Sequence, residues 1–104
     1  MEDRIQKAVE LFKSGYNCSQ SVVAAFADMY GFTQEQALRM GASFGGGIGR
    51  MRETCGAACG MFLVAGLETG ATEATDREGK AANYAVVQEL AAEFKKRNGS
   101  LICG

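Results

Sequence analysis

With 104 residues, 47% of them apolar, the chain carries enough hydrophobic material for one core and too few residues for two domains. A net charge of −1, with Lys95–Lys96–Arg97 as its only basic run, lacks the electrostatic footprint of a nucleic-acid binder. The chain has no histidine, which excludes a Cys–His or Ser–His nucleophile pair, histidine-ligated zinc or haem, and haem attachment through Cys-x-x-Cys-His.

A single helical domain over residues 1–104 is expected from the pattern along the chain. Ile5, Ala8, Val9 and Phe12 recur at helical spacing between Glu2 and Ser14, and Gly15 ends the segment. Asn17 is the predicted N-cap of a helix from Cys18 to Tyr30, with Gln20 in the capping-box position. Thr33 and Gln36 repeat that signal at the start of a helix running towards Phe44. Gly45-Gly46-Gly47-Ile48-Gly49 reads as a loop, since each glycine inside a helix costs about 1 kcal/mol relative to alanine. Thr54 is the predicted cap of a helix from Cys55 to Glu68, ending near Gly70. Thr75 with Glu78 marks a third capping box, opening a helix from Asp76 to Arg97 that carries Tyr84, Val87, Ala91 and Phe94 on one face. Acids at its start and Lys95, Lys96 and Arg97 at its end match the helix macrodipole. No segment alternates with a two-residue period. The expectation is an all-α bundle of four to five helices, with a glycine-rich loop before the Cys55 helix.

No apolar run approaches the roughly 18 residues of a membrane span. The charged start, Met1-Glu2-Asp3-Arg4, is unlike a signal peptide. A cytoplasmic protein is expected, and in that compartment four cysteines point to reduced, metal-bound or catalytic thiols rather than structural disulfides.

Cys18 and Cys55 each follow a predicted N-cap, which places both in the first turn of a helix. Unpaired N–H groups and the positive dipole end favour a thiolate there, and Arg50 and Arg52 add positive charge before Cys55. Cysteine is equally a small apolar residue that packs inertly. Cys59 lies one turn beyond Cys55, a spacing that suits two ligands of one metal and suits a helical disulfide poorly. Gly56 and Gly60 share that spacing, and a strip of two glycines lets another helix approach closely without any chemistry. Cys103 stands in an apolar tail that can fold back over the end of the bundle holding Cys18 and Cys55. The stretch Phe44 to Gly56 also has the pattern of an anion cradle. Free amides of Gly45, Gly46 and Gly47 precede a helix start and the two arginines. It is not a P-loop, because the Gly-Lys-Ser/Thr ending is missing.

Taken together, "GYNCSQSV", "FGGGIGR", "CGAACG" and "NGSLIC" resemble, in this order, the C_GCAxxG_C_C family of redox-active proteins. The resemblance spans Phe12 to Cys103. It implies redox-active cysteines and leaves the substrate undefined. Cys18 matches the early cysteine, Cys55, Gly56, Ala57 and Gly60 the central motif, and Cys103 the cysteine after the last long helix. Cys59 falls on a variable position and inherits no role. Family chains usually run on to a further cysteine, whereas this one stops at Gly104.

Two classes of function follow. In the first, Cys18, Cys55 and Cys103 are the catalytic thiols of dithiol–disulfide exchange or electron transfer with a redox partner. In the second, Cys18, Cys55, Cys59 and Cys103 bind zinc or an iron–sulfur cluster, or pack as a structural module. Gly45, Gly46, Gly47, Arg50 and Arg52 are the candidate cofactor-binding residues, and a homodimer is compatible with exposed apolar helix faces.

Overall fold

The structure is a computed structural model that describes residues 2–70 and 72–102. It is all-α: α1 (Glu2–Lys13), α2 (Cys18–Phe26), α3 (Gln34–Gly41), α4 (Gly56–Thr69) and α5 (Arg77–Asn98). α2 passes into a 3-10 turn at Ala27–Tyr30 and α3 into another at Ala42–Phe44. Among the described residues the only extended pairing is an isolated antiparallel bridge between Thr54 and Ile102. None of their helices is long and apolar enough to cross a membrane.

Helix boundaries follow the local chemistry at most ends. Asn17 and Thr33 each form the predicted capping box, with Gln20 and Gln36. The α5 start differs from expectation. Asp76, not Thr75, is the cap, accepting from the Gly79 N–H at 2.8 Å. Its carboxylate needs no Glu78 partner to satisfy that donor.

α2 is the central helix, packed by α1, α3 and α4, while α5 lies on α4. Its buried residues are small: Ser19, Ser21, Val23, Ala24 and Ala25. Val23, Ala24, Ala27 and Ala37 form the core, with Leu11, Phe32, Leu38, Met40 and Leu63 packed around it. Small side chains let helix axes approach closely.

Three of the four residues of the expected α1 stripe do not face the core, and Ala8 does. Ile5, Val9 and Phe12 are exposed, and Arg4, Lys7, Ala8 and Leu11 turn inward. In this orientation the Arg4 guanidinium donates to the Ala25 carbonyl at 3.0 Å and to the Asp28 carboxylate. On α5 the face is shifted similarly. Val87, Ala91 and Phe94 are half-buried, whereas Tyr84 is exposed.

Candidate functional site

Two helix starts meet at one end of the α2–α4 pair. The Asn17 side chain accepts from the Gln20 N–H at 2.8 Å, and the Gln20 side chain accepts from the Asn17 N–H at 3.1 Å. Cys18 is therefore the first residue of α2, as the sequence predicts. α4 begins one residue later than expected. Cys55 is its N-cap rather than a member of its first turn, and the Cys55 side chain makes no capping hydrogen bond. Thr54, the expected cap, is instead paired with Ile102. The Cys55 N–H donates to the Leu101 carbonyl at 2.6 Å. This tail pairing keeps the chain extended up to Cys55 and delays the helix.

The two starts touch at Gly56. A Cβ placed there would lie 3.5 Å from the Cys18 Cβ, 3.4 Å from the Gly45 Cα and 2.9 Å from the Phe44 carbonyl oxygen. Only a residue without a side chain fits, so Gly56 lets the chain neighbour of Cys55 rest against Cys18. One turn on, a Cβ at Gly60 would lie 2.9 Å from the Val22 Cβ and 3.2 Å from the Ser19 carbonyl oxygen. The glycine strip is thus the contact of α4 with α2 within the chain.

The three described cysteines differ in burial. Cys18 and Cys55 are half-buried. Cys59 is buried, with its Sγ 4.0 Å from the Thr54 carbonyl oxygen. Burial pushes the Cys59 thiol up from its ordinary pKa, and the nearby Cys55 adds to the shift. Cys103, a candidate catalytic and metal-binding residue, lies outside the described residues, and the described tail reaches Ile102 beside Thr54. Among the described residues no three Cys, Asp or Glu side chains come together as metal ligands.

The glycine loop winds left-handed. Gly46, Gly47, Ile48, Gly49, Arg50 and Arg52 all have φ between 57° and 78°. Three of these are not glycine, and a β-branched residue such as Ile48 is a rare occupant of that region. The amides of residues 48 to 53 donate to carbonyls of residues 43 to 48, so the loop is closed on itself by its own backbone. Arg50 and Arg52 stand on its exposed side, while Gly45 and Gly47 are buried. Asn17 Nδ2 donates to the Ala42 carbonyl at 3.1 Å, which ties the 3-10 turn before the loop to the α2 start.

The chain matches the family model described as "Putative redox-active protein (C_GCAxxG_C_C)" over residues 16–104. It belongs to the C_GCAxxG_C_C family. No curated protein and no solved structure matches it. The matched span contains all four cysteines and every contact between the two helix starts, and it leaves the whole of α1 outside.

α1 supplies what sequence reasoning missed. Cys18 opens into a cleft of about 290 Å³ walled by α1, by α2 and by Ala57 of α4. Ala8, Val9, Phe12 and Lys13 form the α1 wall. The signal was present as an apolar stripe that the core leaves uncovered, but periodicity alone does not say which neighbour a stripe meets.

Proposed function

We propose that this member of the C_GCAxxG_C_C family is a thiol–disulfide redox protein whose exchanging pair is Cys18 and Cys55. The observation that carries this reading is the contact at Gly56, where the first residue of α4 lies against Cys18 and has Cys55 as its chain neighbour. Cys18 occupies the first turn of α2, where the helix dipole favours a thiolate. In exchange, that thiolate attacks one sulfur of a disulfide and the neighbouring thiol resolves the mixed disulfide. Cys103 is the third thiol of the proposal, because the tail is pinned beside Cys55 as far as Ile102, the residue before it. Cys59 is a bystander in exchange, since a buried thiol with a raised pKa is a poor nucleophile. The exposed Arg50 and Arg52 contribute positive potential on the loop that precedes Cys55.

The test uses the full chain, reduced and then oxidised by stoichiometric diamide, with linkages mapped by mass spectrometry after alkylation. The expected product is a Cys18–Cys55 disulfide that forms with Cys59 still alkylated as a monothiol. Protection of the same thiols that a chelator removes would assign them instead to zinc or an iron–sulfur cluster. Random linkage at the rate of an unfolded control would overturn the exchanging pair.

A further inference from the structure

The start of α4 is claimed by two partners that cannot both have it. In the structure the tail holds it: Thr54 bridges Ile102, and the Cys55 N–H donates to the Leu101 carbonyl at 2.6 Å. Cys55 therefore stays outside the helix, with φ −54° and ψ 133°. The competing partner is Thr54 itself. Its hydroxyl can cap a helix that starts one residue earlier, which puts Cys55 in the first turn. With Thr54 in the bridge that cap is not made, and the Cys55 side chain makes none in its place. A side-chain cap and a backbone hydrogen bond are of the same order in stability, so the two arrangements are closely balanced. Little else weighs on the docked side. Ile102 is 58% exposed, and the exposed Ser100 spends its hydroxyl within the tail, accepting from the Ile102 N–H at 2.9 Å. The tail turns away from α5 at Gly99, which has φ 84°, in the left-handed region, and open space where a Cβ would stand.

We propose that residues 99–102 form a latch, hinged at Gly99, that sets where α4 begins. Docked, the tail keeps Cys55 outside the helix; released, it lets Thr54 cap α4 with Cys55 in the first turn. The consequence for redox chemistry rests on the thiol–disulfide reading above. The Cys55 carbonyl already accepts from the Cys59 N–H at 2.9 Å, so the helix from Gly56 onward is the same in both arrangements. The contact of Gly56 with Cys18 therefore survives the change. Release turns the chain about the Cys55 ψ angle, which moves the Cys55 side chain and the exposed segment that carries Arg50 and Arg52. It also allows the Ala58 N–H to donate to the Thr54 carbonyl, the bond that closes the added residue into the helix. In the released arrangement Cys55 stands at the positive end of the α4 dipole, which favours its thiolate. The tail is thus a negative regulator of one thiol of the pair, and it acts through its main chain.

The test uses full-length, reduced variants at the hinge and at the competing cap, read at Cys55 by NMR and hydrogen exchange. Gly99→Val makes the left-handed turn unfavourable while leaving every tail residue in place, and Gly99→Asn tolerates that turn. Gly99→Val is expected to speed exchange of the Cys55 amide by about tenfold, the worth of the left-handed penalty for a side chain. It should also move the Cys55 Cα shift to a helical value, whereas Gly99→Asn should match wild type in both readouts. Adding Thr54→Val to Gly99→Val removes the cap and keeps the β-branched shape. That double variant should keep the fast amide and return Cys55 to a non-helical shift. Fast exchange with a non-helical Cys55 in Gly99→Val alone would overturn the latch, because release would not let the cap form. Unchanged exchange in Gly99→Val would also defeat it, since the hinge would not govern docking. A helical Cys55 that iodoacetamide modifies no faster than in wild type would refute the regulation of the thiol. None of these readouts needs a disulfide, so the latch is decided separately from the Cys18–Cys55 exchange that diamide tests.

Discussion

The Cys55 N–H donates to the Leu101 carbonyl at 2.6 Å, so the tail is fastened at Leu101 to the N-cap residue of α4. With the Thr54–Ile102 bridge, this is the only described pairing between the tail and the Cys55 segment. Ending the chain after Ser100 removes both partners. The Cys55 amide should then exchange with solvent about five- to tenfold faster, as expected for the loss of roughly 1 kcal/mol of local hydrogen bonding. Hydrogen exchange read at Cys55, with the Ala24 amide as a core reference, checks this. Equal exchange in both proteins would mean that the tail does not hold the α4 start.

Gly60 and Gly66 lie on one helix and should respond to alanine with opposite signs. A Cβ at Gly60 would meet the Val22 Cβ at 2.9 Å and the Ser19 carbonyl oxygen at 3.2 Å. Gly60→Ala must separate α4 from α2 and is expected to destabilise by about 1–3 kcal/mol. A Cβ at Gly66 meets nothing within 4 Å. Gly66→Ala should stabilise by about 0.4–1 kcal/mol, because the unfolded chain loses freedom and the helix gains propensity. Urea denaturation of the two variants settles the comparison. A neutral Gly60→Ala would contradict the close packing that brings Cys18 to the start of α4.

Features written in local chemistry were legible in the sequence. The Asn17 and Thr33 capping boxes are contacts across three residues, and both form as their side chains predict. The glycine run 45–47 is a loop because glycine disfavours helix interior whatever surrounds it. The start of α4 was read one residue early because its position depends on Leu101 and Ile102, far along the chain, and Thr54 looks like a cap until that pairing is known. The face of α1 departs from its apolar pattern for a similar reason. Ile5, Val9 and Phe12 form a regular stripe, yet Arg4 anchors the helix to Ala25 and Asp28 with Leu11 inward. The left-handed backbone at Ile48, Arg50 and Arg52 has no sequence mark, since only glycine advertises positive φ.

Within the Cys55–Cys59 pair, reactivity should divide sharply. Burial raises the Cys59 pKa and the neighbouring Cys55 raises it further, so Cys59 holds its proton through neutral pH. In native protein at pH 8, iodoacetamide is expected to modify Cys59 more slowly than the half-buried Cys55, because Cys59 is buried and its thiol is pushed towards the protonated form. In denaturant the two rates should converge. Peptide mapping after timed quenching measures both. Faster modification of Cys59 in the native state would place its sulfur outside the α2–α4 packing and remove its bystander status.

The Arg4–Asp28 contact ties α1 to the 3-10 turn that follows α2 and gives that attachment a pH dependence. The Arg4 guanidinium hydrogen-bonds the Asp28 carboxylate and holds its pKa below the usual carboxylate value, with Lys7 adding a smaller pull in the same direction. A depressed carboxyl pKa in the folded state means that the folded chain prefers the ionised form more strongly than the unfolded chain does. Its contribution is therefore fully present above the ordinary aspartate pKa and is lost as pH falls through the lowered folded value. Asp28→Asn should destabilise the protein at pH 7 and lose that effect at strongly acidic pH. The difference in urea midpoint between wild type and Asp28→Asn, followed across acidic pH, gives the answer. A difference that persisted undiminished below both pKa values would show that Asp28 acts through packing.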